Sequence, residues 1–333
     1  MCALLRKSRD QVLFPDYSGK SRTLFRSKRS ISNYYDWLVD LHQRYGPLVK
    51  VNQGLGRGYV VHVFDPEDAR QVFATDGRLP FIVPLQETTQ RYREMKGMNP
   101  GLGNLNGDEW YRLRSSIQQV MMRPQAVQNA HFRYLPYTNE VAAALVDHVQ
   151  NEGEHSGGEV DMRKVAGRWA LEAAALTVFE KRLGALGDRI SWADTLVSLN
   201  HRIFQLSAEL RFAFPFYRYF STPKWKKMVE LEDKFYREAN LLIDEAIRKL
   251  RGSTQAEEEM KFASLLINRK ELNDKDIAVI LLSMFSDGLS TTAPMLIYNL
   301  YNIASNPHAQ DELRKEVNAV VDDKKGGERF MSG

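Results

Sequence analysis

A run of small polar residues, Ser286-Asp287-Gly288-Leu289-Ser290-Thr291-Thr292, sits in the middle of the long apolar segment Ile277–Tyr298. Hydroxyls in apolar surroundings, where a buried helix is locally opened, can hold water or a small ligand. Pro294 follows, without an N–H and in steric conflict with the carbonyl four residues back, that of Ser290, so it opens a helix beside the patch. Gly288 costs a helix about 1 kcal/mol relative to alanine and so needs a reason, such as close approach of a flat ligand. Two readings stand: a proline-kinked structural helix, or a helix locally opened to hold water or a small ligand. A second pair, Trp110 and Arg114, is four residues apart and so shares one helix face. An indole N–H and a guanidinium pointing together suit a carboxylate or a phosphate. The alternative is a packed aromatic beside a surface charge.

Elements must position these groups. A helix from Asp274 to Ser305 would run about 45–50 Å, enough to cross a domain. Apolar spacing also predicts helices over 108–122, 134–151, 161–182, 188–208, 225–251 and 307–321. Earlier, Tyr34, Leu38, Leu41 and Tyr45 mark an amphipathic helix closed by Gly46-Pro47. Leu48, Val49 and Val51 begin a strand, and Tyr59 to Phe64 form a second. The glycines between them, Gly54 to Gly58, read as a hairpin turn and not a phosphate loop, because a strand follows and no helix N-terminus. Asp65-Pro66-Glu67 opens a short helix through Phe73. From Gly77 to Gly107 the chain reads as a long irregular stretch, the kind that is functional or disordered. The fold class is mainly α with a small N-terminal β-sheet.

Length allows about two domains, yet no clean break or repeat is visible. Composition excludes several classes. The 46 basic and 42 acidic residues are interspersed, with a net charge of +4, so no basic patch marks a nucleic-acid binder. One cysteine, Cys2, permits neither an intrachain disulfide nor a cysteine-rich zinc site. The seven histidines are dispersed, so no metal held by side chains is expected. No stretch approaches the roughly 20 apolar residues of a membrane span. Residues 1–30 are a basic leader, suiting a mitochondrial transit peptide or a disordered basic tail. Residues 322–333 are polar and read as a disordered end. Aromatics from Phe212 to Phe220, followed by Lys224-Trp225-Lys226-Lys227, suit peripheral membrane contact or burial in the core.

The segment Ser286 to Thr292 resembles the oxygen-activation motif of cytochromes P450, with Gly288 matching the glycine and Thr291 the proton-managing threonine that face the haem. The acid usual before that threonine is replaced by Ser290, and Asp287 lies nearby but displaced. Trp110 and Arg114 are similar to the family's Trp-x-x-x-Arg helix, which donates to a haem propionate. Arg168-Trp-Ala-Leu-Glu172 and Arg182-Leu-Gly184 resemble the mitochondrial branch, and Tyr35 to Pro124 resembles its arthropod members. Asn306-Pro307 and Leu313-Arg-Lys-Glu-Val317 resemble the helix after the oxygen-binding one. The likeness, in family order, runs from about Tyr34 to about Val320 and takes residues 31–321 as the front and centre of a P450 domain. It implies the P450 prism, incomplete at its C-terminal side, and haem-dependent monooxygenation of a lipophilic, first of all steroid-like, substrate. It further implies an adrenodoxin-type ferredoxin, the matrix side of the mitochondrial inner membrane, and first substrate contacts from the 77–107 loop (Phe81, Val83, Leu85, Met98). The family's iron ligand is a cysteine thiolate after the oxygen-binding helix. This chain has only Cys2, ahead of every motif, so haem is expected without its ligand here. The other expectation is a non-catalytic helical protein, a shortened isoform or incomplete gene product.

Overall fold

The computed structural model describes residues 33–52, 58–84, 86–122, 124–252 and 262–323. The basic leader, the Gly54 turn, Leu85 and the last ten residues of the polar end lie outside them. The described residues form two compact units. One comprises the chain before Leu113 with Gln205–Val229; the other comprises Leu113–Phe204 with the chain from Glu230 onward.

In the first unit, helix α1 (Tyr34–Tyr45) ends at Gly46, whose φ of 88° favours glycine and whose N–H reaches the His42 carbonyl at 2.9 Å. Strand β1 (Leu48–Asn52) pairs antiparallel with β2 (Tyr59–Val63), Leu48 opposite Val63 and Asn52 opposite Tyr59, as a hairpin requires. Alternation buries Val49 and Val51 completely against Leu41, with Trp37, Leu38, Tyr45 and Phe64 around them. Helix α2 (Pro66–Ala74) starts where the sequence places it: the Asp65 carboxylate accepts from the N–H groups of Glu67 and Asp68 at 2.8 and 3.2 Å.

The stretch expected to be irregular contains a helix, α3 (Glu87–Met95). Its sequence is polar and shows no apolar stripe, and its fixing partners are remote. Glu87 takes the Arg218 guanidinium with both oxygens at 2.5 and 2.7 Å, Arg91 donates to the Arg218 carbonyl at 2.9 Å, and the Thr88 and Ser207 hydroxyls meet at 2.6 Å. Beside this clasp Tyr217 is buried and stacks on Trp225 at 5.6 Å. Burial, with Glu87 as the next cause, pushes the Tyr217 hydroxyl up to about 12. The other aromatics of the connection divide from it: Phe214, Phe216, Tyr219 and Phe220 are exposed. Of the sequence's two readings, burial in the core thus holds for Tyr217 and Trp225 and fails for these four.

The second unit is built around α6 (Met162–Phe179), against which pack α5 (Pro124–Ser156), α9 (Phe262–Ile267), α10 (Asp274–Asp287) and α11 (Ala293–Ala304). Helix α4 (Gly107–Met121) spans both units, as do α7 (Ile190–Phe212) and α8 (Pro223–Arg251); α12 (Pro307–Asp323) follows α11. Two expectations change. Helix α5 begins ten residues before the predicted 134 and carries Pro136 inside it, and α9 has too few residues to show a period. Small residues let α6 be approached closely: Ala166 and Ala170 meet Ala293, flanked by Trp169, Leu296 and Ile297. A Cβ on Gly167 would stand 2.8 Å from a Val197 methyl of α7. Gly167→Ala is therefore expected to destabilise by about 1–3 kcal/mol, although alanine favours helices. A denaturant midpoint unchanged or raised would contradict this.

The expectation that no segment approaches a membrane span fails on length and composition, since Asp274–Ala304 is long and apolar enough. Its first half is a core helix: Ile277, Val279, Ile280, Leu281, Leu282 and Phe285 are buried, with Phe285 set 4.9 Å from Phe179 and 6.3 Å from Phe235.

Candidate functional site

Helix α10 starts at a capping box, the Asn273 side chain and Asp276 each bonding the other's backbone N–H. It runs buried to Phe285 and then widens into a π-turn over Gly288–Thr292 before Pro294. Such turns recur at functional sites, because one extra residue is squeezed into the helix and a carbonyl loses its ordinary partner. Here the Thr291 hydroxyl donates to the Asp287 carbonyl at 2.7 Å, and the Ser290 hydroxyl lies 3.4 and 3.3 Å from the carbonyls of Ser286 and Asp287. The buried Asn200 of α7 donates to the Ser286 carbonyl at 3.3 Å, a contact no sequence spacing announces.

The sequence offered a ligand as the reason for Gly288, and the structure supplies another. A Cβ there would meet the Ala174 methyl of α6 at 3.0 Å. The glycine is needed for helix packing on that side, whatever approaches the other. Asp287, Ser290 and Thr291 fall within one turn, and Asp287 and Thr291 are exposed. Met295 and Tyr298, also exposed, continue the same run along α11.

On α4, Leu113, Ser116, Ile117 and Val120 are buried and hold the helix in place. Trp110 and Arg114 are half-buried, one turn apart. Between them Arg112 is satisfied by Glu109, with bonds of 2.9 and 2.7 Å. Neither Trp110 nor Arg114 has a hydrogen bond or ion pair among the described residues. A half-buried indole N–H and guanidinium left open in this way fit an anionic group such as a propionate. Of the loop residues, Phe81 and Val83 are exposed and Met98 is half-buried.

The branch-like motifs turn out to bind one another. Glu172, completely buried, accepts from the Arg182 Nε and from the N–H groups of Leu183, Gly184 and Ala185, the last at 3.0 Å. Arg168 instead grips Asp194 of α7 at 2.7 and 2.8 Å. Gly184 has φ of 77°, and a Cβ there would overlap the Asp188 carboxylate, so only glycine fits.

A cytochrome P450 family model matches residues 24–330. This chain belongs to the cytochrome P450 family. Among curated P450s it is 60% identical over 289 residues to the "probable cytochrome P450 CYP44" of Caenorhabditis elegans, covering 87% of this chain and 58% of that protein. To "probable cytochrome P450 12a5, mitochondrial" of Drosophila melanogaster it is 28% identical, covering 85% and 54%. To the "1,25-dihydroxyvitamin D(3) 24-hydroxylase, mitochondrial" of Rattus norvegicus it is 23% identical, covering 89% and 56%. The chain thus spans about half the length of the curated P450s it matches. The mainly helical architecture with its small sheet is that of a P450.

Proposed function

We propose that the whole protein is a haem-dependent monooxygenase of a lipophilic, steroid-like substrate. It works in mitochondria, with electrons from an adrenodoxin-type ferredoxin. The observation that carries this reading is the open donor pair Trp110–Arg114 on a helix of a P450-family chain. The mitochondrial names of several relatives support the compartment and partner. The exposed Phe214, Phe216 and Phe220 beside Lys224, Lys226 and Lys227 support peripheral membrane contact.

Haem, when bound, supplies dioxygen activation at iron. Arg114 and Trp110 would hold its propionate. Thr291 bonds the Asp287 carbonyl through its hydroxyl hydrogen, which leaves its lone pairs free to accept. Its role is to hold a proton near the reacting oxygen, with Gly288 keeping the helix close to α6. Ser290 stands where the family has an acid, so proton supply falls to Asp287 or to water. Thiolate ligation comes from outside these 333 residues, whose only cysteine is Cys2. The alternative, a non-catalytic helical protein, draws on that same cysteine count.

Two experiments test the proposal. Supplied with haem, the 333-residue chain is expected to show no thiolate-type Soret band in its reduced carbon-monoxide spectrum; a normal band would sink this part. In a version with the length of its relatives, Thr291→Ala should lower product formation on the order of 10²-fold with haem content unchanged. Arg114→Ala with Trp110→Phe should instead lower haem retention. Full retention in that double variant would remove the propionate role.

A further inference from the structure

Away from the proposed site, four charged or titratable side chains meet where α5, α6 and α7 come together. Arg168 of α6 holds Asp194 of α7 with two bonds and sends its remaining Nη1 to His148 Nε2 on α5 at 3.0 Å. Arginine can only donate, so His148 Nε2 must be bare and the ring neutral, with its hydrogen on Nδ1. One helical turn on, a Glu152 carboxylate oxygen lies 3.4 Å from that same Nε2 and 3.7 Å from Arg168 Nη1. This oxygen is buried and has no hydrogen bond. A bare nitrogen and a carboxylate oxygen therefore face each other, two acceptors competing for one donor. The His148 side chain is 10% exposed and that of Arg168 7%, so water compensates little.

We propose that His148 is a proton-controlled tie. Neutral, it accepts from Arg168 and joins α5 to α6; protonated, it turns its Nε2–H to Glu152 within α5 and releases Arg168. One proton gives the stranded carboxylate oxygen a donor and removes the one hydrogen-bond acceptor that Arg168 has on α5 among the described residues, leaving only the 3.7 Å ion pair with Glu152. Imidazole is the side chain that changes charge between about pH 5 and 8. The charged groups around it come from all three helices. On α5 they are Glu152 and the exposed Asp147; on α6, Arg168, Lys164 and the capping Asp161; on α7, Asp194. Arg168 holds the Asp194 carboxyl below its ordinary value, against burial, so Asp194 stays ionised and keeps Arg168 on α7 when His148 lets go.

The test is backbone amide exchange in α6 around Arg168, read by mass spectrometry on the full chain and corrected for intrinsic rates. His148→Gln keeps an acceptor at every pH, and His148→Lys keeps a charged donor for Glu152. Wild type should match the glutamine variant near pH 8 and the lysine variant near pH 5.5, with roughly fivefold faster exchange at the lower pH, the worth of one hydrogen bond. Wild type matching the glutamine variant at both pH values, or the two variants exchanging alike, overturns the proposal. Should the lysine variant not fold, Glu152→Ala decides. Without the carboxylate a protonated ring loses the acceptor that faces its Nε2 at 3.4 Å, so the high-pH pattern should persist near pH 5.5. Switching in that variant would equally overturn it.

Discussion

Glu172→Ala is expected to destabilise the second unit by about 3–5 kcal/mol, the cost of breaking a buried ion pair from one side. Glu172 is 0% exposed and gathers the Arg182 guanidinium together with three consecutive backbone N–H groups of the turn after α6. Alanine would strand the three backbone N–H groups at once and leave the Arg182 guanidinium with Glu140 alone. The turn cannot adapt easily, since it enters through Glu180 at φ 55° and pivots on Gly184. Arg182 also donates to Glu140 at 2.5 Å, but that carboxylate is 56% exposed. Glu140→Ala should therefore cost only about 0–1 kcal/mol. Burial works against the Arg182 charge, and the two carboxylates more than offset it, so its pKa is raised. Chemical denaturation of the two variants side by side checks the contrast. Equal effects would show that the buried cradle carries no special weight.

The second large effect concerns solubility. The 333-residue chain on its own is expected to self-associate at micromolar concentration. On α11, Met295, Tyr298 and Tyr301 are 62%, 67% and 67% exposed, and on α12 Leu313, Val317 and Val320 form an exposed stripe. Contiguous apolar surface of this kind on a soluble chain marks an interface or an aggregation liability. Tyr298→Lys with Tyr301→Lys replaces two mostly exposed rings, so it should raise the monomer fraction in sedimentation velocity roughly tenfold without lowering the unfolding midpoint. A monodisperse wild-type monomer at tens of micromolar would refute the expectation.

Much of the fold was legible in the residues. The cap at Asp65, the stop at Gly46, the alternation of Val49 and Val51 and, apart from the early start of α5, the long helical periods appear where expected, because each is set within a few residues of itself. The polar patch in mid-helix ahead of Pro294 was legible too, although the sequence named a kink there and the structure has a π-turn. The polar helix α3 was not legible: its partners Ser207 and Arg218 lie more than a hundred residues away. Nor could the sequence say that Gly288 answers to Ala174, that Asn200 reaches Ser286, or that Glu172 belongs to Arg182 while Arg168 belongs to Asp194 and His148. Local backbone preference is written in neighbouring residues. Which donor meets which acceptor, and which glycine must admit a neighbouring helix, is decided only when distant segments pack, since burial alone makes an unmet donor or a misplaced methyl costly.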